Sequence, residues 1–351
     1  MFMHFDHILV IKETRQQEKR VALTPKSVAL LVAKGYRVLV EENAGVHAGF
    51  GNVDYIQAGA KVISFTETGF PANSFIVRVL WDKAQALEKN QRFHENTAML
   101  GFLFPFMDLP HITTWQQLGL TTLSFDLFES LSVDDPKNAQ AAMSRIAGRL
   151  SFLDALKHYR GDKPIFVSII GTGAAGMSAA FEASQRGFPV QVFGRNERHR
   201  AVLAEMGIAY HILPSENPIE FIQTHLKEST IIITSARTAG RKAPLLLNET
   251  SLQLLPSKAV VVDLAVSNGG NVVGSQHDCI KTMDNGVLVI NVSGYPKAEP
   301  QTSSETYAQC VVSVLTEILS PQGDMLFEHP IVQEIWVTHN RQRREALYEN
   351  F

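Results

Sequence analysis

Three glycines carry the first chemical possibility in this chain. Gly171, Gly173 and Gly176 (GTGAAG) follow an apolar run of strand length at 165–170 and open a small-residue helical stretch, MSAAFEASQRGF. A second strand at 190–193 comes next. In this strand–turn–helix–strand context the G-x-G-x-x-G spacing permits a tight turn, a close backbone approach to a diphosphate and close helix packing. The helix start also presents free N–H groups to phosphate. Gly171, Thr172, Gly173, Ala174, Ala175 and Gly176 are therefore candidate dinucleotide-binding residues.

The end of the second strand bears on which dinucleotide. An NAD-specific fold places a carboxylate there to accept from the ribose 2′-OH, whereas this chain has Gly194, Arg195 and Asn196. Loss of the acid removes repulsion toward a 2′-phosphate, and Arg195 can pair with that phosphate, with Arg198 and Arg200 adding positive charge nearby. The expectation is NADP or NAD, with NADP favoured. Two further arginines suggest a second ligand. Arg78 interrupts the apolar strand FIVRVLW, and a charge in such a run must find a partner or an anion. It stays protonated, so its role would be electrostatic. Arg20 follows a polar loop, and its guanidinium matches a carboxylate. The histidines, His4, His94, His111 and His211 among them, show no metal spacing, and no metal is expected.

The elements that must position these residues read as alternating strands and helices. Strands are expected at 7–11, 37–40, 75–80, 98–103 and 121–125, with a helix at 25–34 capped by Thr24, started by Pro25 and stopped by Gly35. A short helix ends near Gly59. A long helix spans 139–159, followed by the 165–170 strand, a helix at 197–206 and strands at 209–212, 231–234, 260–264 and 287–290. A last helix, 303–319, carries Val311, Val312, Leu315 and Ile318 on one face. The tail after it packs back on the first domain. The pattern is α/β, with parallel doubly wound sheets that place ligands outside the carboxyl ends of the strands.

At 351 residues the chain exceeds one core, so two domains are expected. A net charge of -3 offers no field for nucleic acid or an anionic membrane. No apolar run reaches the ~18–20 residues of a membrane span, and the N-terminus does not read as a secretory signal. Cys279 and Cys310 suit a reducing cytoplasm.

At KETRQQEKRVALTPKSV, VLVEENAGVHAGFGNVDYIQAGA, MSRIAGR, the glycine fingerprint, RTAGRKAPLLL, VVVDLAVSNGGN and PKAEPQTSSETYA the sequence resembles the alanine dehydrogenase and nicotinamide nucleotide transhydrogenase superfamily. Seven motifs in order are far more specific than any one. The resemblance implies two Rossmann-like domains around an inter-domain cleft: a substrate domain, 1–135 completed by 320–351, and a dinucleotide domain, 136–319. It also implies a homo-oligomer. Ser144, Ser235, Ala236, Asp263, Ser267 and Asn268 match family positions near the nucleotide, and Arg20 matches the residue that meets the substrate carboxylate.

The departures are as informative. The family's catalytic lysine position reads Arg78, its histidine position Phe104, the acid of its VAVDQGG motif Ser267, and the asparagine of its NMPG turn Gly294. Arg145 stands where dehydrogenases carry a glutamate, and is a candidate for a second carboxylate or the nicotinamide ribose. Before MSRIAGR, where the transhydrogenase component contacts both nucleotides through an Arg, a Gln and an Asp, this chain reads SLSVDDPKNAQ, and none of the three is clearly kept. The resemblance thus implies an NAD(P)-dependent oxidoreductase acting on a small carboxylate-bearing amino, imino or keto acid held by Arg20 and Arg78, with Arg145 as a further candidate catalytic residue. The alternatives are an NAD(H)-binding transhydrogenase component and a nicotinamide-nucleotide sensor.

Overall fold

A strand with no polar face must be covered on both sides, and the apolar runs of this sequence are satisfied in that way by two parallel sheets. The computed structural model describes residues 2–15, 17–64, 69–81, 93–94, 96–106, 109–237 and 242–347. The chain divides into two units, Met1–Met143 with Lys297–Phe351, and Ser144–Pro296. The expected motif RTAGRKAPLLL lies partly outside the described residues.

In the first unit β1 (Phe2–His4) precedes β2 (His7–Val10), β3 (Val38–Glu41), β4 (Lys61–Ile63), β5 (Ser74–Leu80), β6 (Ala98–Phe102) and β7 (Thr121–Ser124). Helices α1 (Pro25–Ala33), α2 (Asn52–Gln57) and α3 (Leu109–Leu118) connect them. In α1, Thr24 and Ser27 form a reciprocal capping box and Pro25 opens the first turn, while Gly35 ends it at φ +94°. β2 lies between β3 and β5, all parallel. The chain therefore turns to opposite sides of β2, and the loops after β2 and β5 flank a switch point. β4 and α3 were not anticipated: their sequences are short or mixed, and neighbours decide their state.

In the second unit the remainder of α4 (Ala139–His158) leads to β8 (Val167–Ile170), α5 (Ala174–Gln185), β9 (Val190–Gly194), α6 (Arg200–Glu205), β10 (Ala209–Ile212), α7 (Pro218–Gln223), β11 (Ile231–Thr234), α8 (Glu249–Gln253), β12 (Val260–Asp263), β13 (Ile280–Thr282) and β14 (Leu288–Ile290). The order is β10-β9-β8-β11-β12-β14-β13, parallel except for β13. The switch point lies between β8 and β11. The expected helix at 197–206 begins as a 3-10 turn, Glu197–His199, because Asn196 caps Arg198 through its side chain.

The chain then returns to the first unit. α9 (Pro300–Ile318) presents Tyr307, Val311, Val314, Leu315 and Ile318 as its buried stripe, so Val314 takes the place expected for Val312. β15 (Asp324–Leu326) pairs with β1, and α10 (Pro330–Ile335) leads to β16 (Trp336–His339) and β17 (Gln342–Arg343). β16 pairs antiparallel with β7 and completes the order β17-β16-β7-β6-β5-β2-β3-β4. α9 thus belongs to the first unit, where a boundary at 319/320 assigned it to the second. The reason is polar: Ser304 Oγ accepts from Val21 N–H at 3.0 Å, and Tyr307 donates to Arg78 C=O at 2.8 Å.

Candidate functional site

The glycine fingerprint forms a tight turn between the carboxyl end of β8 and the start of α5. Gly171 has φ +119°, a conformation side chains disfavour, and an added Cβ there would lie 2.8 Å from Ser235 Oγ. At Gly176 a Cβ would lie 1.9 Å from Gly171 C=O, so only glycine lets α5 pack this close to the strand end. On the same helix's other side, a Cβ at Gly148 would lie 1.9 Å from Ala175 C=O. At Gly173, by contrast, an added Cβ meets nothing within 4 Å, and Gly173 caps α5 without a side-chain hydrogen bond. The first N–H groups of α5 consequently face open space, which is what a diphosphate requires. Among the described residues Ser235 Oγ is a buried hydroxyl without a hydrogen-bond partner, set beneath the same turn. These features fit a pyridine dinucleotide.

The neighbouring loops are held by two residues, only one of them anticipated. Asp263, fully buried, accepts from Thr234 Oγ1, Ala265 N–H, Asn271 N–H and Val272 N–H at 2.9–3.1 Å. Its oxygens are thereby occupied in shaping the loop. Asn271 accepts from Ala236 N–H and donates to Ala236 C=O and Pro244 C=O, tying the loop after β11 to the loop after β12. Ser267 and Asn268 lie exposed, with Asn268 Oδ1 accepting from Arg237 at 3.4 Å. Ser144 and Arg145 are half-buried on α4.

At the end of β9 the missing acid has a steric cause. A Cβ at Gly194 would sit 2.5 Å from Thr172 Cγ2 and 2.6 Å from Tyr210 Oη, and Tyr210 is pinned by donation to Asn196 C=O at 2.9 Å. No carboxylate can stand at 194. Arg195 is exposed and has no ion-pair partner among the described residues. Arg200 does not add the expected charge, because Glu197 takes its guanidinium at two nitrogens.

In the first unit the decisive feature is a bulge in β5. Its register against β6 shifts between Val77 and Leu80, which leaves Val79 N–H and Leu80 N–H unpaired in the ladder. Glu13, beside β2 across the switch point, accepts both, at 2.5 and 3.3 Å. Tyr307 takes the carbonyl of Arg78, and Arg78 Nε donates to Leu80 C=O at 2.8 Å. Gly101 gives the side chain room, since a Cβ there would lie 2.8 Å from Arg78 Cγ. The guanidinium rests 5.0 Å from the Trp81 ring, with Glu13 Oε2 3.5 Å from Nη2. Arg78 is only 5% exposed, yet among the described residues neither Nη1 nor Nη2 makes a hydrogen bond. Burial raises the Glu13 carboxyl above its ordinary range, against the opposing pull of Arg78 and the two backbone donors.

Arg20 has a different surrounding. Glu18 receives its Nε at 2.7 Å and its Nη2 at 2.8 Å in a buried fork, leaving Nη1 3.4 Å from Met143 Sδ. Burial would raise Glu18, but the Arg20 fork overrides it and holds the carboxyl below its usual range. The sequence reading missed Glu13, Glu18, Tyr307 and Asn271. Only Glu18 had a local signal, two residues before Arg20.

Residues 9–147 match the alanine dehydrogenase/PNT N-terminal domain and residues 150–345 its C-terminal domain. The chain belongs to the alanine dehydrogenase/PNT family. It is 24% identical to the first segment of NAD(P) transhydrogenase subunit alpha from Rickettsia prowazekii, over 98% of this chain and 99% of that one. It is 29% identical to alanine dehydrogenase of Staphylococcus epidermidis over 84% and 82%. The transhydrogenase structure from Sinorhizobium meliloti superposes with a TM-score of 0.87 at 23% identity, over 96% of this chain and 99% of that one. Family membership makes the protein an NAD(P)-dependent oxidoreductase.

Two outcomes follow for this family member. Gly173→Ala should keep wild-type thermal stability but lose NADPH affinity by calorimetry, whereas Gly176→Ala should fail to give a stable fold. Glu18→Ala leaves the Arg20 charge buried and should cost about 3–5 kcal/mol in urea denaturation. The pair's contribution is present above the ordinary carboxylate range and is lost as pH falls through the lowered Glu18 value. The variant should therefore show a flatter acid limb of stability.

Proposed function

We propose that the chain binds NADP or NAD, with NADP preferred, on the Gly171–Gly176 turn, and transfers hydride between the nicotinamide and a small amino, imino or keto acid. The carrying observation is Arg78: a buried guanidinium, fixed on a strand bulge beside a switch point, whose two terminal nitrogens make no hydrogen bond among the described residues. A substrate carboxylate supplies the bidentate acceptor it lacks. Arg20 offers such a carboxylate only Nη1, because Glu18 holds the rest. Arg145 remains a candidate for a second carboxylate. When bound, the reduced nicotinamide supplies the hydride, and the protein supplies orientation and charge.

Preference for NADP is supported by Gly194, where no acid fits, and by the exposed Arg195. A transhydrogenase component is the second reading, favoured by the nearly end-to-end match to the Rickettsia prowazekii chain. Against it, the 129–138 loop carries neither an Arg nor a Gln, and its start is tied down by Glu334, which accepts from Glu129 N–H, Ser130 N–H and Ser130 Oγ.

The test is titration with NADPH and NADH, followed by a screen of pyruvate with ammonium, pyruvate with L-lysine, and an oxidised pyridine nucleotide analogue. Turnover of an oxo acid supports the first reading, and turnover of the analogue alone supports the second. Nucleotide binding without any turnover makes the protein a sensor, and no binding of either nucleotide overturns the reading. Arg195→Ala should weaken NADPH about tenfold and leave NADH unchanged, as expected for one lost charge-assisted phosphate contact. Arg78→Gln should raise KM for the oxo acid at least tenfold without altering nucleotide affinity.

A further inference from the structure

Reduction of a carbonyl needs a proton as well as a hydride, and the positions at which the family resemblance expects a lysine and a histidine hold Arg78 and Phe104. Arginine does not release its proton at working pH, and phenylalanine has none to give. A titratable group at the carboxyl ends of the first unit's strands can take that role if this site reduces an oxo acid. Glu13 lies there, but its oxygens are engaged by Val79 N–H and Leu80 N–H and its side chain is 2% exposed. Tyr307 is fully buried and donates to Arg78 C=O, and burial pushes its phenol well above the ordinary value.

Among the described residues Asp126 also lies there, directly beyond β7. Its Oδ2 accepts from Ser124 Oγ at 2.7 Å and from Leu103 N–H and Phe104 N–H at 3.0 Å each. No hydrogen bond engages Oδ1 among the described residues, and the residue is half-buried, so this oxygen alone of the carboxyl is uncommitted. Phe104, one of the residues it grips, has φ +52°, a conformation rare for a bulky side chain and found where function holds a strained loop in place. In register, Ser124 pairs with Gly101, the glycine over which Arg78 lies. β5 and β7 therefore bring Arg78 and Asp126 to the two sides of β6, at the same end of the sheet. Among the described residues the charged and titratable groups near Asp126 are Tyr307 of α9, which feels it together with Glu13, Arg20 and Cys310, and Arg15, whose guanidinium lies 5.9 Å from the Phe104 ring. Burial raises the Asp126 carboxyl, against the pull of Ser124 and the two backbone donors.

We infer that Asp126 is the general acid of the site, with Oδ2 anchored by three donors and Oδ1 carrying the proton. The inference rests on the oxidoreductase reading above. As the carbonyl carbon of the acceptor gains hydride from the reduced nicotinamide, its π pair moves to oxygen and takes the Oδ1 proton. This gives an alcohol, oxidised nicotinamide and the Asp126 carboxylate, which regains a proton from water. With an amine co-substrate the same proton goes to the carbinolamine hydroxyl, which departs as water while the nitrogen lone pair closes the C=N bond. The reductive rate accordingly falls as pH rises through the Asp126 value.

Two measurements on the full chain test this. Asp126→Asn preserves an acceptor for the Leu103 and Phe104 N–H groups, so it should fold, bind NADPH within threefold of wild type, and lose single-turnover reduction of pyruvate with ammonium or L-lysine by about a hundredfold or more. Its rate should also lose the falling alkaline limb, and Asp126→Glu should regain some of both. Carbon-13 NMR of carboxyl-labelled aspartate, assigned by the Asn variant, should show Asp126 titrating above the ordinary aspartate range. An Asn variant that reduces within fivefold of wild type with the limb intact overturns the role alone, as does an Asp126 resonance already ionised in the ordinary range. Wild-type protein that binds NADPH but reduces neither mixture overturns the oxidoreductase reading, and the role with it.

Discussion

The carboxylate of Glu13, closed on the open N–H groups of Val79 and Leu80, is the contact on which the shape of the first unit's strand ends depends. A bulge exposes polar backbone inside a buried strand, which is unfavourable unless those groups are satisfied. Here a loop residue from the neighbouring strand satisfies both, while Tyr307 takes the adjoining carbonyl. The bulge turns the side chain of Arg78 across Gly101 to the end of the sheet. Three elements distant in the chain therefore determine where one guanidinium points.

The two arginines of this unit show how counter-ion geometry separates similar residues. Arg20 and Glu18 form a forked, buried pair that is electrically closed, and it serves the fold. Arg78 and Glu13 are 3.5 Å apart, with the carboxylate committed to backbone donors and the guanidinium's terminal nitrogens left without a hydrogen bond among the described residues. A buried charge with incomplete hydrogen bonding is costly in isolation and well suited to an anionic ligand. The same distinction holds in the second unit, where Arg200 is neutralised by Glu197 and Arg195 faces solvent.

The nucleotide cradle is built by exclusion. Contacts at Gly148, Gly171, Gly176 and Gly194 admit no side chain, whereas the space at Gly173 is open. Asp263 and Asn271 hold the loops after β11 and β12 in the shape this requires. Conserving the fold of the alanine dehydrogenase/PNT family while changing the residues at strand ends is the ordinary way one scaffold acquires a different acceptor.

The sequence by itself determined the features that rest on local physics. Uniform apolar runs gave buried strands, Thr24, Pro25 and Gly35 bounded a helix, and the glycine spacing marked the turn between β8 and α5. Elements without a strong local preference, β4 and α3, were legible only once their neighbours packed on them. Site residues divided along the same line. Arg78 was conspicuous as a charge in an apolar strand, but its partners Glu13 and Tyr307 lie 66 and 229 positions from the backbone groups they satisfy. Only the tertiary structure decided which arginine is neutralised, which carboxyl oxygen is uncommitted and why residue 194 is glycine, because each depends on atoms brought together through space by the sheet and not by the chain.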